Sequence, residues 1–277
     1  MKPQEEMKRK FPGIVDIAYE QYKRDLPRFQ VAKDLMSQDV VTVDPEASLD
    51  DAARLMGERH IGSLIVVKYR TPVGIITERD LLSKVLALGL FLKDENVEEV
   101  MSYPLSGVSY GTRIKEIARL MISKKGRLAV FDAGTLVGIV TASDLIKSLP
   151  DVPETEVMVD EFMTRDVTMV DDTTAVSNVA VMMGINRIGS VVVTVKNQPK
   201  GIFTERDLLT TFLAKGVSLD VPVGERASPL ITAPSGISIH EAAQVMRSKH
   251  IKRLPIMKDN ALTGIVTARD LVEAYAK

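Results

Sequence analysis

The chain has no cysteine and no tryptophan among its 277 residues, and it has only three histidines. Without cysteine, the protein can have no disulfide bond, thiolate catalysis, iron–sulfur ligation or cysteine-bound zinc. The histidines His60, His240 and His250 are scattered, and no HExxH motif or other ligand cluster accompanies them. The sequence therefore predicts no dedicated metal site, and it suits a reducing compartment.

The chain also lacks an excess of charge of either sign. Its 36 Lys and Arg residues face 37 Asp and Glu residues, for a net charge of −1. This balance gives no broad basic field for nucleic acid or an anionic membrane. No apolar run approaches the roughly 18 residues that cross a bilayer, and the start, MKPQEEMKRKFPG, lacks the apolar core of a signal peptide. We expect a cytoplasmic protein that does not enter the membrane.

One phrase is present four times: Gly, two β-forming residues, Thr, two variable residues, Asp and an aliphatic residue. The copies are GIITERDLL (74–82), GIVTASDLI (138–146), GIFTERDLL (201–209) and GIVTARDLV (264–272). Their aspartates, Asp80, Asp144, Asp207 and Asp270, are 64, 63 and 63 residues apart. A fixed period of this size indicates one structural unit repeated four times.

The same order of elements surrounds each phrase. A short strand precedes an amphipathic helix, in which apolar residues recur at three- and four-residue steps, as at Leu49, Ala52, Ala53 and Met56. A buried strand, a tight turn and the Gly-initiated strand follow, and a second helix begins at the Thr. The sequence thus predicts an α/β (α+β) fold of four β-α-β-β-α repeats. None is large enough to bury both helices alone, so the units should pair.

The alternation of the units predicts the domain organisation. Units one and three share IGS and TERDLL, whereas units two and four share Arg-Leu and GIVTA, as expected from duplication of a two-unit module. The predicted parts are a leader (1–30), a first module (31–150, units 33–90 and 97–150) and a second module (151–277, units 159–215 and 223–277). Prolines and acidic residues near 150 to 158 mark the boundary. The leader is either a flexible strap or a partner-binding segment.

Four GxxTxxD phrases at constant spacing within this frame resemble the cystathionine-β-synthase (CBS) domain family, specifically proteins with two CBS pairs. The resemblance covers about 31 to 277. It implies that two domains pack by their sheets into a pseudo-twofold module with two clefts, and that two modules can lie together as a flat disc. It also implies a regulatory, non-catalytic protein whose clefts take AMP, ADP, ATP or S-adenosylmethionine.

The phrase suits a nucleotide chemically. One carboxylate can accept hydrogen bonds from both vicinal hydroxyls of a ribose, and a helix N-terminus favours a phosphate. We therefore expect Asp80, Asp144, Asp207 and Asp270 to bind ribose. The alternative is a capping box, whose cap stabilises a helix by about 0.5–2 kcal/mol. In either case Thr77, Thr141, Thr204 and Thr267 are expected to cap their helices.

The resemblance also implies phosphate partners at the start of the inner strand. Arg127 would face the Asp80 cleft and Arg253 the Asp207 cleft, with Lys252 beside it; the alternative is a solvated strand end. The odd units have Gly62-Ser63 and Gly189-Ser190 there, which leave room for close backbone approach but carry no charge. The Asp144 and Asp270 clefts should therefore either hold phosphate less well or use the basic residues from across the module.

The adenine is expected between apolar walls. By resemblance, one wall comes from Val41, Ser106, Thr168 and Ile231, and the other from Ile75, Ile139, Ile202 and Ile265. The alternative is that these residues are ordinary core. Arg79, Arg206 and Arg269 precede the phrase Asp, and they either reach a β- or γ-phosphate or are solvated first-turn residues.

The sequence as a whole predicts an energy-sensing regulator that binds AMP, ADP or ATP, uses no catalytic cofactor and signals to an unidentified partner by a population shift. The alternatives are an S-adenosylmethionine sensor and a nucleic-acid-binding protein with a basic patch at Lys8, Arg9, Lys10, Lys124 and Lys125. An aromatic content of 5% disfavours the latter. An enzyme is disfavoured because P-loop, GxSxG and metal motifs are missing. Helix faces rich in Ala, Met and Ile suggest a homodimer.

Overall fold

A computed structural model describes residues 31–123, 126–148 and 156–277. Four β-α-β-β-α units, numbered 1 to 4 along the chain, make up this part, and the predicted fold class is confirmed. The leader, Lys124 and Lys125, and residues 149–155 lie outside the described residues. The expectations for the leader, the basic patch and the module boundary therefore remain predictions.

Each unit contains one small sheet. The inner strand pairs in parallel with the first strand and antiparallel with the Gly-initiated strand, and the third sheet gains β10 at its edge. The strands are β1 (Thr42–Val43), β2 (Ser63–Lys68), β3 (Thr71–Thr77), β4 (Gly107–Ser109), β5 (Arg127–Asp132), β6 (Thr135–Thr141), β7 (Met169–Asp171), β8 (Ser190–Val195), β9 (Gln198–Thr204), β10 (Ser228–Pro229), β11 (Ala233–Pro234), β12 (Arg253–Lys258) and β13 (Ala261–Thr267).

Helices cover one face of each sheet. They are α1 (Ala32–Leu35), α2 (Leu49–Glu58), α3 (Glu78–Lys84), α4 (Val97–Val100), α5 (Ile114–Ser123), α6 (Ala142–Leu145), α7 (Val176–Ile185), α8 (Glu205–Asp207), α9 (Ile239–Lys249) and α10 (Ala268–Ala276). A π-helical turn (Leu208–Phe212) continues α8, and 3-10 turns span Leu86–Leu88, Leu92–Asp94, Val159–Glu161, Leu213–Lys215 and Val223–Glu225. The apolar stripe of α2 is fully buried, as its periodicity predicts. In the described ranges, no helix combines the length and apolarity needed to cross a membrane.

The two units of a module, which we call sister units, are joined by backbone pairing. The segment that leads into each unit forms a bridge with the Gly-initiated strand of its sister, so that units 1 and 2 are joined and units 3 and 4 are joined. The paired residues are Ser37 with Ile139, Ser102 with Ile75, Thr164 with Ile265, and Ser228 with Ile202. These pairings bring the two phrases of a module close together.

Helices join the two modules within the same chain. Helix α7 of unit 3 packs against α3 and the Leu86–Leu88 turn of unit 1, and α10 of unit 4 packs against α5 of unit 2. Gly184 permits the first contact, since a Cβ there would lie 2.6 Å from the Cβ of Ala87. The faces on which the homodimer expectation rested are therefore used inside the chain, and the homodimer stays a prediction without their support.

Candidate functional site

Each phrase folds as a strand end followed directly by a helix start. Thr77 ends β3 in an extended conformation (φ −132°, ψ 161°) and is the N-cap of α3. Its backbone N–H and hydroxyl both donate to Asp80 Oδ2, at 3.0 and 2.6 Å. The three other Thr–Asp pairs repeat both bonds at 2.7–3.0 Å. The phrase has a capping-box arrangement in all four units, and the return bond from the Asp N–H to the Thr hydroxyl is present at 3.3–3.4 Å in units 1, 3 and 4.

Capping leaves part of each carboxylate free. An ionised carboxylate has about four lone-pair positions on its two oxygens. The Thr N–H and hydroxyl occupy two of these positions, both on Oδ2. The Oδ1 oxygen lies outside the box, so capping and ribose binding are compatible.

The four Oδ1 atoms differ in their partners. Asp80 Oδ1 pairs with Lys84 Nζ at 2.8 Å, and Asp144 Oδ1 pairs with Lys147 Nζ at 2.7 Å. Within the described part of the chain, no salt bridge reaches Asp207 or Asp270. Burial raises the pKa of Asp270 despite two hydrogen bonds from its Thr. Sequence reasoning missed both lysines, although their spacing of four and three residues from the Asp is a helical-neighbour signal.

The TERD segments of units 1 and 3 face each other across the modules. Arg79 Nε donates to Glu205 Oε1 at 2.7 Å, and Arg206 Nε lies 2.7 Å from Glu78 Oε1. The second pair lacks hydrogen-bond geometry, so Glu78 Oε1 is buried without a hydrogen-bond partner among the described residues. Arg79 and Arg206 are therefore ion-paired between modules, although their side chains remain 46% and 30% exposed. Contact of either with a β- or γ-phosphate stays a prediction. Arg269 likewise reaches across, donating to the carbonyl of Ile122 at 2.8 Å.

Two arginines from the even units join this group. Arg253 Nη2 donates to Glu205 Oε2 at 2.9 Å, and Arg127 Nη2 donates to the carbonyl of Gly62 at 3.2 Å. Asp80 is also among the charges that act on Arg127. Each arginine thus lies beside the phrase of its sister unit, and its role as a phosphate ligand stays a prediction. We call the following set the central cluster: Glu78, Arg79, Arg127, Glu205, Arg206, Lys252 and Arg253.

The central cluster fills the space expected to be open at the odd units. A Cβ on Gly189 would lie 2.9 Å from Arg79 Nη2 and from Glu205 Oε2, and one on Gly62 would lie 2.6 Å from Glu78 Oε2. The expectation that Gly189-Ser190 leaves room for close backbone approach of a ligand therefore stays a prediction, and it requires these side chains to move. The glycines let charged side chains lie directly on the strand.

The central cluster carries an excess of positive charge. Its five basic and two acidic side chains give a formal charge of +3. Burial alone would raise the pKa of Glu205, but Arg253 and Arg79 outweigh it and hold the pKa below its usual value. Burial also lowers the pKa of Arg127. Uncompensated positive charge in a confined place favours the binding of an anion.

Lys252 is a second base of the cluster whose pKa is lowered. Desolvation of its ammonium, partly opposed by Glu78 and reinforced by Arg206, Arg127 and Arg253, lowers its pKa to about 8. The residue as a whole is nevertheless exposed, so solvent screening limits the size of this shift while its direction holds. A negative group beside Lys252 would therefore favour the charged form of its amine.

The residues predicted to form the adenine walls are all half-buried. In unit 1 both walls flank one inner-strand residue, because Ile65 donates its N–H to the carbonyl of Val41 and pairs with Ile75 on its other side. The carbonyls of Ser106 and Thr168 accept equivalent bonds. Ile231 cannot, because the matching residue is Pro255, which has no N–H. The role of these residues in adenine binding stays a prediction.

Comparison with known proteins adds family evidence to this geometry. A protein-family model described as "CBS domain" matches residues 32–87, 97–151, 159–214 and 223–277. The uncharacterized protein MJ1404 of Methanocaldococcus jannaschii is 30% identical over 265 residues, which cover 88% of this chain and 61% of MJ1404. The chain thus spans less than two thirds of that relative.

A solved structure that matches most of the chain shares its fold. The crystal structure of protein MJ1225 from Methanocaldococcus jannaschii matches with a TM-score of 0.73 at 23% identity, and the match covers 88% of this chain and 99% of MJ1225. The CBS domain protein PAE2072 from Pyrobaculum aerophilum, solved in complex with AMP, matches 41% of this chain with a TM-score of 0.39. The matching family model is not that of a catalytic domain. On this evidence the chain belongs to the CBS domain family and contains four CBS domains.

Proposed function

We infer that this protein is a regulatory sensor of adenine nucleotides, which it binds in the clefts between sister units. The phrase Asp would accept the ribose hydroxyls through Oδ1, and the phosphates would extend toward the central cluster. The observation that carries this proposal is the position of Arg127 and Arg253. Each belongs to one unit of a module and lies near the phrase of the other, since Arg127 interacts electrostatically with Glu78 and Asp80 and Arg253 bonds to Glu205. One ligand can therefore contact both units.

A ligand that contacts both sister units favours one arrangement of the module. A partner that prefers this arrangement is then recruited or released by a population shift, and it must change nucleotide affinity by the same factor. The central cluster extends the effect to the other module, because Arg79 and Arg253 share Glu205. An arriving phosphate competes with that carboxylate for both arginines. Membership of the CBS domain family supports a regulatory role.

A role in energy sensing requires that the ligand is AMP, ADP or ATP. MJ1225, whose fold this chain shares, is described as a candidate archaeal homologue of γ-AMPK. S-adenosylmethionine is the alternative ligand, because it offers the same ribose hydroxyls but no phosphate. The net positive central cluster favours the phosphate-bearing nucleotides over that positively charged sulfonium compound.

Calorimetric titration of AMP, ADP, ATP and S-adenosylmethionine tests the proposal. We expect saturable binding of at least one adenine nucleotide, and weaker binding by both Asp80→Ala and Asp207→Ala. Asp171→Ala is the matched control, since the Asp171 carboxylate accepts from Thr173 within its own turn and lies outside the four phrases. If both cleft variants bind as the wild type does, these carboxylates have no part in ligand binding.

A further inference from the structure

Unit 1 and unit 3 contain the same phrase, TERDLL, but their aspartates have different numbers of free acceptor positions. In both units the capping box occupies two of the four lone-pair positions. At Asp80 the ammonium of Lys84 occupies a third, on Oδ1. Asp80 therefore retains one position, whereas Asp207 retains two on the same oxygen. Two vicinal hydroxyls need two acceptor positions.

Lys84 is held in this position from two sides. Its Nζ also donates to the carbonyl of Val100, at the end of α4, and its side chain is 38% exposed. The corresponding lysine of unit 2, Lys147, pairs with Asp144 but is 55% exposed, and no second acceptor for it occurs among the described residues. The Lys84 side chain is therefore held at its Asp by more contacts, and is less exposed, than the Lys147 side chain.

Unit 3 provides the matched position. Thr211 follows Asp207 by four residues, as Lys84 follows Asp80, and the two segments are equal in length. Both end in a left-handed glycine nine residues after the Asp, Gly89 with φ 73° and Gly216 with φ 60°. Residue Asp+4 thus lies in a segment of equal length in both units, although Lys84 ends an α-helix and Thr211 lies in the π-helical turn Leu208–Phe212. The ammonium of Lys84 is the charged difference that bears directly on the carboxylate.

We propose that Lys84 is an internal occupant of the ribose subsite in unit 1, so that a ribose-bearing ligand fills the Asp207 cleft before the Asp80 cleft. The ammonium takes the place of one hydroxyl donor, and a ligand must displace it to bind with both hydroxyls. This inference rests on the proposed function and states the order in which its clefts fill with ligand. Lys252, which is a glycine (Gly126) in unit 2, could favour the same order, and only exchange of residues at Asp+4 separates the two causes.

Reciprocal substitution provides that separation, with AMP as the probe. In an Asp207→Ala background, adding Lys84→Thr should tighten the remaining AMP binding about tenfold, the value of one hydrogen bond to a charged acceptor. In an Asp80→Ala background, adding Thr211→Lys should weaken it by a similar factor. Lys84→Arg in the first background is the control, because the guanidinium retains the pairing. Thermal unfolding of each variant checks that the fold is intact, and Thr211→Lys leaves the Val100 contact of Lys84 untouched.

The outcomes separate the inference from the function on which it rests. Opposite shifts in the two backgrounds, with Lys84→Arg unchanged, support the assignment. AMP binding that neither exchange alters overturns it and leaves the nucleotide clefts in place. Wild-type protein that binds no AMP at millimolar concentration overturns the proposed function, and the order of filling with it.

Discussion

Arg79 of unit 1 and Glu205 of unit 3, 126 residues apart, form a 2.7 Å ion pair that joins the two modules at the central cluster. Glu205 also accepts from Arg253 of unit 4, so one carboxylate connects three of the four units. A phosphate that binds these arginines must compete with Glu205. The contact that joins the modules in the free protein is therefore the contact that a nucleotide is expected to change.

Glu205→Gln tests this competition. The amide keeps the shape but loses the charge that Arg79 and Arg253 face, so we expect lower stability, by about 2 kcal/mol for a largely buried pair. Nucleotide affinity should rise at the same time, because the arginines lose their internal partner. Urea denaturation and calorimetry measure the two effects. Glu98→Gln is the control, since its 3.7 Å pair with Lys68 is exposed and should contribute less than about 1 kcal/mol. Reduced affinity in Glu205→Gln would refute the competition.

Gly189→Ala tests the packing of the central cluster on the strand. Its methyl group would overlap Arg253 Nη2 and lie 2.9 Å from Arg79 Nη2 and Glu205 Oε2. These side-chain ends can shift but their ion pairs would be disturbed, so we expect a loss of about 1 kcal/mol, at the low end of the cost of overpacking. Gly111→Ala is the matched control, because a Cβ there meets no atom within 4 Å. Thermal denaturation of both variants measures the difference. Equal melting temperatures would show that the central cluster moves aside without cost.

Thr204→Ala tests whether the cap serves the ligand site. Loss of the hydroxyl removes one helix cap, which costs about 0.5–2 kcal/mol, and also frees Asp207 to rotate. We therefore expect a fall in both stability and AMP affinity, with Thr204→Ser close to wild type in both. A loss of stability without a change in affinity would separate capping from binding.

The lowered pKa of Lys252 determines how stability and nucleotide affinity should change with pH. Its pKa of about 8 in the folded protein is below the ordinary 10.5, so the unfolded chain binds more protons between these values. This group therefore adds stability as the pH rises from about 8 toward 10.5. Ligand binding has the opposite trend, because AMP needs the charged ammonium, and affinity should fall above about pH 8.

Proton uptake on AMP binding measures the second effect. Calorimetry at pH 8 in buffers with different ionisation enthalpies should show that the wild type takes up a fraction of a proton, whereas Lys252→Met takes up less. Binding heats that do not depend on the buffer would contradict a phosphate beside Lys252.

The sequence alone could predict the four units, because the period of 63–64 residues and the helical spacing within Leu49–Glu58 are local patterns. The Thr–Asp capping boxes follow from three-residue spacing in the same way. The Arg79–Glu205 pair could not be predicted, because it depends on how two modules lie together. The open space expected at Gly189 was inferred from residue size, whereas the neighbouring charged side chains decide whether such space exists.

The most direct measurement is a crystal structure of the protein grown in millimolar AMP. The account predicts AMP in the Asp207 cleft, with its ribose hydroxyls on Asp207 Oδ1, its phosphate on Arg253 and the Asp207–Thr204 bonds retained. AMP that binds elsewhere, or clefts that stay vacant at that concentration, would contradict it.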